Sequence, residues 1–149
     1  MSDSEIVNRK ATHLYFFEQT FEAGIQLTGT EVKSIKAGKA NLSDAYCSFE
    51  RGELWLRNMH ISEYDQGSNN HDPRRPRKLL LNKTELRKME RKVNEKGVTI
   101  IPYRIYLSDR GMFKIEVAVA TGKKSFDKRE SIKERDQKRE LDRSVKNYK

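Results

Sequence analysis

The stretch from Val98 to Ala120 constrains the fold most. It holds two apolar runs, VTIIPYRIYL and MFKIEVAVA, on either side of the turn residues Ser108-Asp109-Arg110-Gly111. In the second run Phe113, Ile115, Val117 and Val119 alternate with Lys114, Glu116 and Ala118. A period of two belongs to a strand with one buried face, so Lys114 is predicted to point away from the core. Pro102 has no N–H to give to a ladder, and predicts an edge position or a bulge in the first strand.

Other elements follow from local pattern. Residues 1–12 read as a flexible arm. The aromatic run HLYFFEQTF, His13 to Phe21, reads as a strand with Tyr15, Phe17, Gln19 and Phe21 on one face. Gly24 then predicts a bend or bulge before Ile25 to Leu27. In GTEVKSIKAG, Thr30 as N-cap, Val32 and Ile35 three apart and Gly38 as a stop predict a short helix. AYCSF and LWLRNMHI flank Glu50-Arg51-Gly52-Glu53, the pattern of a hairpin. DQGSNNHDPRRP, residues 65–76, has no apolar residue and reads as a loop. NKTELRKMERKVNEKG is the clearest helix. Asn82 and Glu85 suit a capping box, Leu86, Met89 and Val93 form a stripe, and Lys83, Arg87 and Arg91 make much of the solvent side basic.

About six short strands and two helices in roughly 110 residues predict a mainly β, α+β domain. The expected architecture is a small closed or partly closed β-barrel with flanking helices, over residues 13–122. Such barrels commonly bind single-stranded or irregular nucleic acid. Residues 123–149 form the third region. Of these 27 residues 17 are charged, and the large apolar ones are Phe126, Ile132, Leu141, Val145 and Tyr148. So little apolar surface cannot offset the cost of ordering, which predicts a tail disordered when free and helical on a partner.

Charge position narrows the function. The 149-residue chain carries +9. Residues 1–70 hold a net −3, 71–96 a net +6, 97–122 a net +1 and 123–149 a net +5. Two basic segments therefore hold the whole excess, the footprint of a polyanion partner. Cys47 is the lone cysteine, which excludes an internal disulfide and fits a reducing cytoplasm; its strand position predicts a buried, inert thiol. No apolar run approaches the roughly 20 residues of a membrane span, and the N-terminus has no apolar signal segment. His13, His60 and His71 lack metal-ligand spacing, and no GxxxxGK[ST], GxGxxG or GxSxG is present. The expectation is therefore a non-enzymatic protein without cofactor or metal.

HDPRRPRKLLL joins rigid proline turns to Arg74, Arg75, Arg77 and Lys78. Arginine binds phosphate through a planar fork and stacks on unpaired bases, so this loop is a candidate RNA contact. A structural loop in which the arginines pair with Asp72 and Glu63 is the alternative, and there are more arginines than acids to satisfy them. Trp55 and Tyr106 offer stacking platforms, although a hairpin tryptophan more often joins the core.

A family resemblance now becomes visible. ExGIxLxGTEVKSIKAGKANLSDAY from Glu22 to Tyr46, NHDPRRPRKLLLNKTEL, KGVTIIPYRIYL and GKKSFDKRESIKERDQKRE occur in order from about Asn8 to Arg143. Together they resemble small protein B, the SsrA-binding proteins of bacteria. The resemblance implies an oligonucleotide-binding-type barrel that grips the tRNA-like domain of transfer-messenger RNA. It also implies a tail that enters the empty message channel and decoding centre of a stalled ribosome and becomes helical there. Glu22, Leu80 and Lys114 match positions implicated in gripping that RNA, although Leu80 alone would be read as buried. Lys33, His71, Arg75, Arg77 and Lys78 complete the expected RNA-binding set. Gly122, Lys123, Lys124, Phe126, Asp127, Lys128 and Arg129 match the ribosome-contacting segment, with Phe126 standing where relatives often have His or Tyr. The partners implied are transfer-messenger RNA and the small ribosomal subunit, with no membrane, for a protein monomeric when free. The rival reading is a general ribosome-associated barrel of the initiation-factor type; an RNA-processing enzyme lacks a visible metal site.

Overall fold

The predicted hairpin of residues 98–120 forms the centre of the computed structural model, which describes residues 5–64, 69–95 and 97–123. In chain order the elements are β1 (Ile6–Val7), α1 (Arg9–Leu14), β2 (Tyr15–Ile25), α2 (Gly29–Lys36), β3 (Ala40–Asn41), β4 (Tyr46–Glu50), β5 (Glu53–Arg57), β6 (His60–Ile61), β7 (Arg77–Leu80), α3 (Lys83–Val93), β8 (Val98–Leu107) and β9 (Phe113–Gly122). Among the described residues, seven strands form one sheet in the order β1-β8-β9-β2-β7-β5-β4, antiparallel at every pairing. Strands β3 and β6 form a separate antiparallel pair.

The sheet is not a closed barrel, which corrects one of the two expected forms. It curls until β4 passes within 8 Å (Cα–Cα) of β8, yet the two share no ladder. The backbone of β8 at Arg104 and Ile105 is already paired with β1. The arm expected over residues 1–12 is therefore, over its described part, a strand followed by a helix. Asn8 fixes the junction: its N–H donates to Tyr103 O at 2.7 Å and its Nδ2 to Pro102 O at 3.0 Å.

Two bulges decide which side chains face inward. The ladder between β2 and β9 shifts register between Phe17 and Gln19, and that between β8 and β9 shifts between Pro102 and Arg104. An extra residue swaps the faces of the strand beyond it. Hence Tyr15, Phe17, Gln19 and Phe21 do not share a face. Phe21 joins the main core, whereas Tyr15 and Phe17 pack with Tyr103 around Ala11, Ile101 and Ala120. Helix α1 covers this end of the outer face of the sheet. On the inner face Leu54, Leu56, Leu79, Ile105, Ile115, Val117 and Val119 are fully buried with Ile35 of α2 and Met89 of α3. Cys47 lies in this core as expected, where burial pushes its thiol well above the ordinary range.

The caps follow the sequence with one change. Asn82 and Glu85 form the expected capping box of α3. The N-cap of α2 is Thr28, not Thr30; Thr28 and Glu31 make the box there. Thr30 Oγ1 instead meets His71 Nδ1 at 2.8 Å. At the β4–β5 hairpin Arg51 (φ 57°) and Gly52 (φ 79°) are both left-handed, the pair of angles that lets a two-residue turn match strand twist.

Glu31 does far more than cap its helix. Its carboxylate is fully buried and accepts from Arg77 Nε at 2.8 Å, Arg75 Nε at 3.1 Å and Arg75 Nη2 at 2.7 Å, besides the Thr28 N–H at 2.9 Å. Arg77, also fully buried, continues to Met59 O at 2.7 Å and Pro73 O at 3.3 Å. One carboxylate thus ties α2 to β7 and to the loop before it. Burial by itself raises the Glu31 pKa, but the bonds from Arg75, Thr28 and Arg77 outweigh it and hold the group at about 2, against an ordinary 4.5. Burial lowers the Arg77 guanidinium from its ordinary value, and the Glu31 pair opposes that.

Because the folded pKa lies below the unfolded one, the stabilisation is fully present above about pH 4.5 and is lost as pH falls towards 2. Glu31→Gln strands two guanidinium groups, one in the interior, and is expected to cost about 3–5 kcal/mol. Urea unfolding between pH 7 and 2 checks both points. The variant should be much weaker at pH 7 and should lose most of the acid-dependent slope that wild type shows below pH 4.5.

Candidate nucleic-acid interface

Among the described residues helix α1 leaves one end of the outer face uncovered, and ladder register determines what lies there. Leu80 of β7 pairs with Gly24 of β2, Gly24 with Lys114 of β9, and Lys114 with Tyr106 of β8. The next rung runs from Glu22 through Glu116 to Arg104. Paired residues of a ladder share a face, so Leu80, Lys114, Tyr106, Glu22 and Arg104 stand together on the open surface. Three of them, Glu22, Leu80 and Lys114, are positions that the family resemblance implied for the RNA contact, and of these only Lys114 also followed from strand alternation.

Gly24 sets this row. It neither bends nor breaks β2, contrary to the expectation; the strand runs through it to Ile25. A Cβ at this position would lie 3.3 Å from Leu80 Cβ, so the bare backbone lets Leu80 lean over β2 towards Lys114. Leu80 is 46% exposed although it follows the buried Leu79. Lys114 faces away from the core, as alternation predicted, and is half-buried there, while Glu22 is exposed. Beside them Arg104 is held by Glu116 at 2.7 Å and Glu5 at 2.9 Å, with its guanidinium carbon 4.3 Å from the Tyr106 ring centroid.

The arginine loop is arranged differently from the expectation. Arg77 is fully buried on Glu31, and this corrects its reading as an outward phosphate ligand. His71 is corrected in the same way. It is buried, with Nε2 2.8 Å from Ile61 O and Nδ1 on Thr30. Arg75 is partly exposed but engaged by Glu31, and its backbone turn is closed by Asp72. Arg74 donates to Asn58 O at 3.1 Å and Asn58 Oδ1 at 2.9 Å. The structural-loop alternative therefore holds for much of this segment, with Glu31 rather than Glu63 as the acid. Lys78 is half-buried, 3.9 Å from Glu53, on the same face as Leu80. Lys33 is exposed on α2, with Nζ 5.7 Å from the Tyr64 ring centroid.

Of the expected ribosome-contacting residues, Gly122 ends β9 and Lys123 follows it, with Nζ donating to Thr12 O at 2.9 Å and lying 5.0 Å from the Phe16 ring centroid. Lys124, Phe126, Asp127, Lys128 and Arg129 lie outside the described residues. Sequence reasoning did not resolve Trp55. It shares the outer face with Lys78, while Leu54 and Leu56 on either side are fully buried. The alternation in ELWLR carried that signal. Among the described residues no three potential metal ligands cluster, and no helix is long and apolar enough to cross a membrane.

Comparison with known proteins gives the family. The sequence model of the SmpB protein family matches residues 5–147. The chain is 56% identical over 142 residues to the SsrA-binding protein of Phocaeicola vulgatus, covering 95% of each chain. It is 52% identical over 139 residues to that of Moorella thermoacetica, covering 93% of this chain and 90% of the relative. A solved chain described as "tmRNA-SmpB: a journey to the center of the bacterial ribosome" superposes with a TM-score of 0.68 at 48% identity, over 80% of this chain and 84% of that one. With its family model spanning nearly all its length and relatives above half identity, this chain belongs to the SmpB protein family.

Proposed function

We propose that the protein is a non-enzymatic adaptor that binds the tRNA-like domain of transfer-messenger RNA and delivers it to stalled ribosomes. The observation that carries this reading is the convergence of Glu22, Leu80 and Lys114, far apart in sequence, on two neighbouring rungs of the open outer face. The names of the relatives and of the solved ribosomal complex support the same partner. Lys114 supplies a cation for a phosphate. Leu80, held over Gly24, offers an apolar contact to a sugar or base. Glu22 accepts hydrogen bonds from base edges or a 2′-hydroxyl. Lys78 extends the cationic side of the face, and Lys33 of α2 and Arg75 of the arginine loop are further cations proposed to meet the RNA. The curl that brings β4 back towards β8 supports an oligonucleotide-binding type of barrel, left open along that seam.

The reading divides labour along the chain. Residues 13–122 hold the RNA. The basic segment beyond Gly122, with Lys123, Lys124, Phe126, Asp127, Lys128 and Arg129, serves the ribosome in the message channel and decoding centre. Its support is the resemblance and a net charge of +5 over residues 123–149.

Lys114→Glu is expected to weaken binding to the tRNA-like domain and to reduce the log–log salt slope by about one. Leu80→Ser is expected to lower affinity while its unfolding free energy stays within about 0.5 kcal/mol of wild type. Its inward-facing neighbour provides the contrast, since Leu79→Ala should cost about 2–5 kcal/mol. Filter binding with urea unfolding separates the two effects; full affinity in Lys114→Glu and Leu80→Ser would remove this face from the interface. Ending the chain after Lys123 keeps the contact to Thr12 and is expected to preserve RNA affinity but abolish peptide tagging in a reconstituted translation assay. Tagging by the shortened chain would refute the role of the tail.

A further inference from the structure

The outer face carries a second feature, one that none of the residues assigned above accounts for. A cavity of about 370 Å³ opens at the β4–β5 hairpin, lined by Glu50, Arg51, Glu53, Trp55, Arg57 and Pro76. Its apolar walls are Trp55 and Pro76. The charged groups around it are largely fixed in place. Arg57 Nε donates to Ser48 Oγ at 2.7 Å and its Nη2 pairs with Glu50; Glu53 faces Lys78 at 3.9 Å. Arg51 is exposed at the tip of the hairpin turn. The two carboxylates are thus each matched by a cation, and Arg51 adds a further positive charge at the rim.

Trp55 is Cα partner to Lys78, two residues before Leu80 on β7, so the cavity opens on the same face as the row that holds Leu80 and Lys114. Its volume lies at the lower end of the roughly 300–1,000 Å³ of ligand sites. That suits one flat ring system and cannot admit a duplex. An indole beside a proline, rimmed by arginines, is the chemistry that takes an unpaired base: the ring stacks and the cations hold the flanking phosphates.

We infer that the Trp55–Pro76 cavity is a stacking site for a single unpaired nucleobase of the RNA bound on the outer face. The inference rests on the RNA-binding reading above, and adds a contact beyond Glu22, Leu80 and Lys114. It requires that the RNA present an extruded or loop base one rung along the sheet and three strands across from Lys114.

The test is direct because Trp55 is the only tryptophan in the chain, so its fluorescence reports on this cavity alone. The full chain is titrated with the tRNA-like domain of transfer-messenger RNA and with a blunt-ended RNA duplex, while binding is measured separately by filter retention. Saturable quenching with the tRNA-like domain at the retention midpoint, and none with bound duplex, is expected. Trp55→Phe, which keeps a ring, should retain affinity to within a few-fold, and Trp55→Ala should lose about ten-fold or more with an unchanged salt slope. Retention of the tRNA-like domain without quenching would overturn the stacking site and leave the RNA-binding reading intact. Absence of retention would overturn both. If Trp55→Ala fails to fold, the wild-type fluorescence decides alone.

Discussion

Glu31 is the interaction on which the rest of the structure depends. Its carboxylate gathers Thr28, Arg75 and Arg77 about one buried point. Through Arg77 it reaches Met59 and Pro73, so that α2, β7 and the connection after β5 are fixed relative to one another. A buried ion pair is a costly way to join elements compared with apolar packing, because both ions must leave water. What it provides is geometry: a planar guanidinium between a carboxylate and two carbonyls has few alternative arrangements. The register of β7 follows, and with it the positions of Lys78 and Leu80 on the outer face.

That face is open for a structural reason. Among the described residues one helix, α1, lies on the outer side of the sheet, and its Ala11 packs with Ile101, Ala120, Tyr15, Phe17 and Tyr103 at one end. Helices α2 and α3 add Ile35, Leu86 and Met89 to the inner core instead. The other end of the outer face is left to side chains that tolerate water: Lys114, Glu22, Lys78, Arg104 and the half-buried rings of Tyr106 and Trp55. Leu80 is the exception, and its exposure is made possible by the missing side chain at Gly24. An apolar residue held outward among charges, on strands rather than on a loop, forms a preorganised surface that loses little on binding.

Much of this was legible in the residues. Alternation from Phe113 to Val119 placed Lys114 outside, the spacing of Asn82 and Glu85 gave the cap of α3, and Pro102 foretold a bulge. The errors have physical causes. A bulge near Glu18 changes which aromatic residues of β2 face inward, and no local signal marks it. Gly24 read as a bend because a glycine in a strand looks the same whether the backbone turns or a neighbour approaches. The arginine cluster looked free because its principal acid, Glu31, lies more than forty residues away and is brought to it only by the fold. Leu80 looked buried because a run of three leucines carries no indication of which one turns outward.

The central claim is that this face recognises one folded RNA by shape and base contacts, and not by charge alone. Equilibrium binding to the tRNA-like domain of transfer-messenger RNA, set against an ordinary elongator tRNA across a salt series, tests it most directly. Phosphate attraction falls with salt for both RNAs, whereas contacts from Leu80, Glu22 and the rings do not. The account predicts a preference for the tRNA-like domain that persists as salt rises. Equal affinities that decline together would contradict it and leave a general polyanion-binding protein in its place.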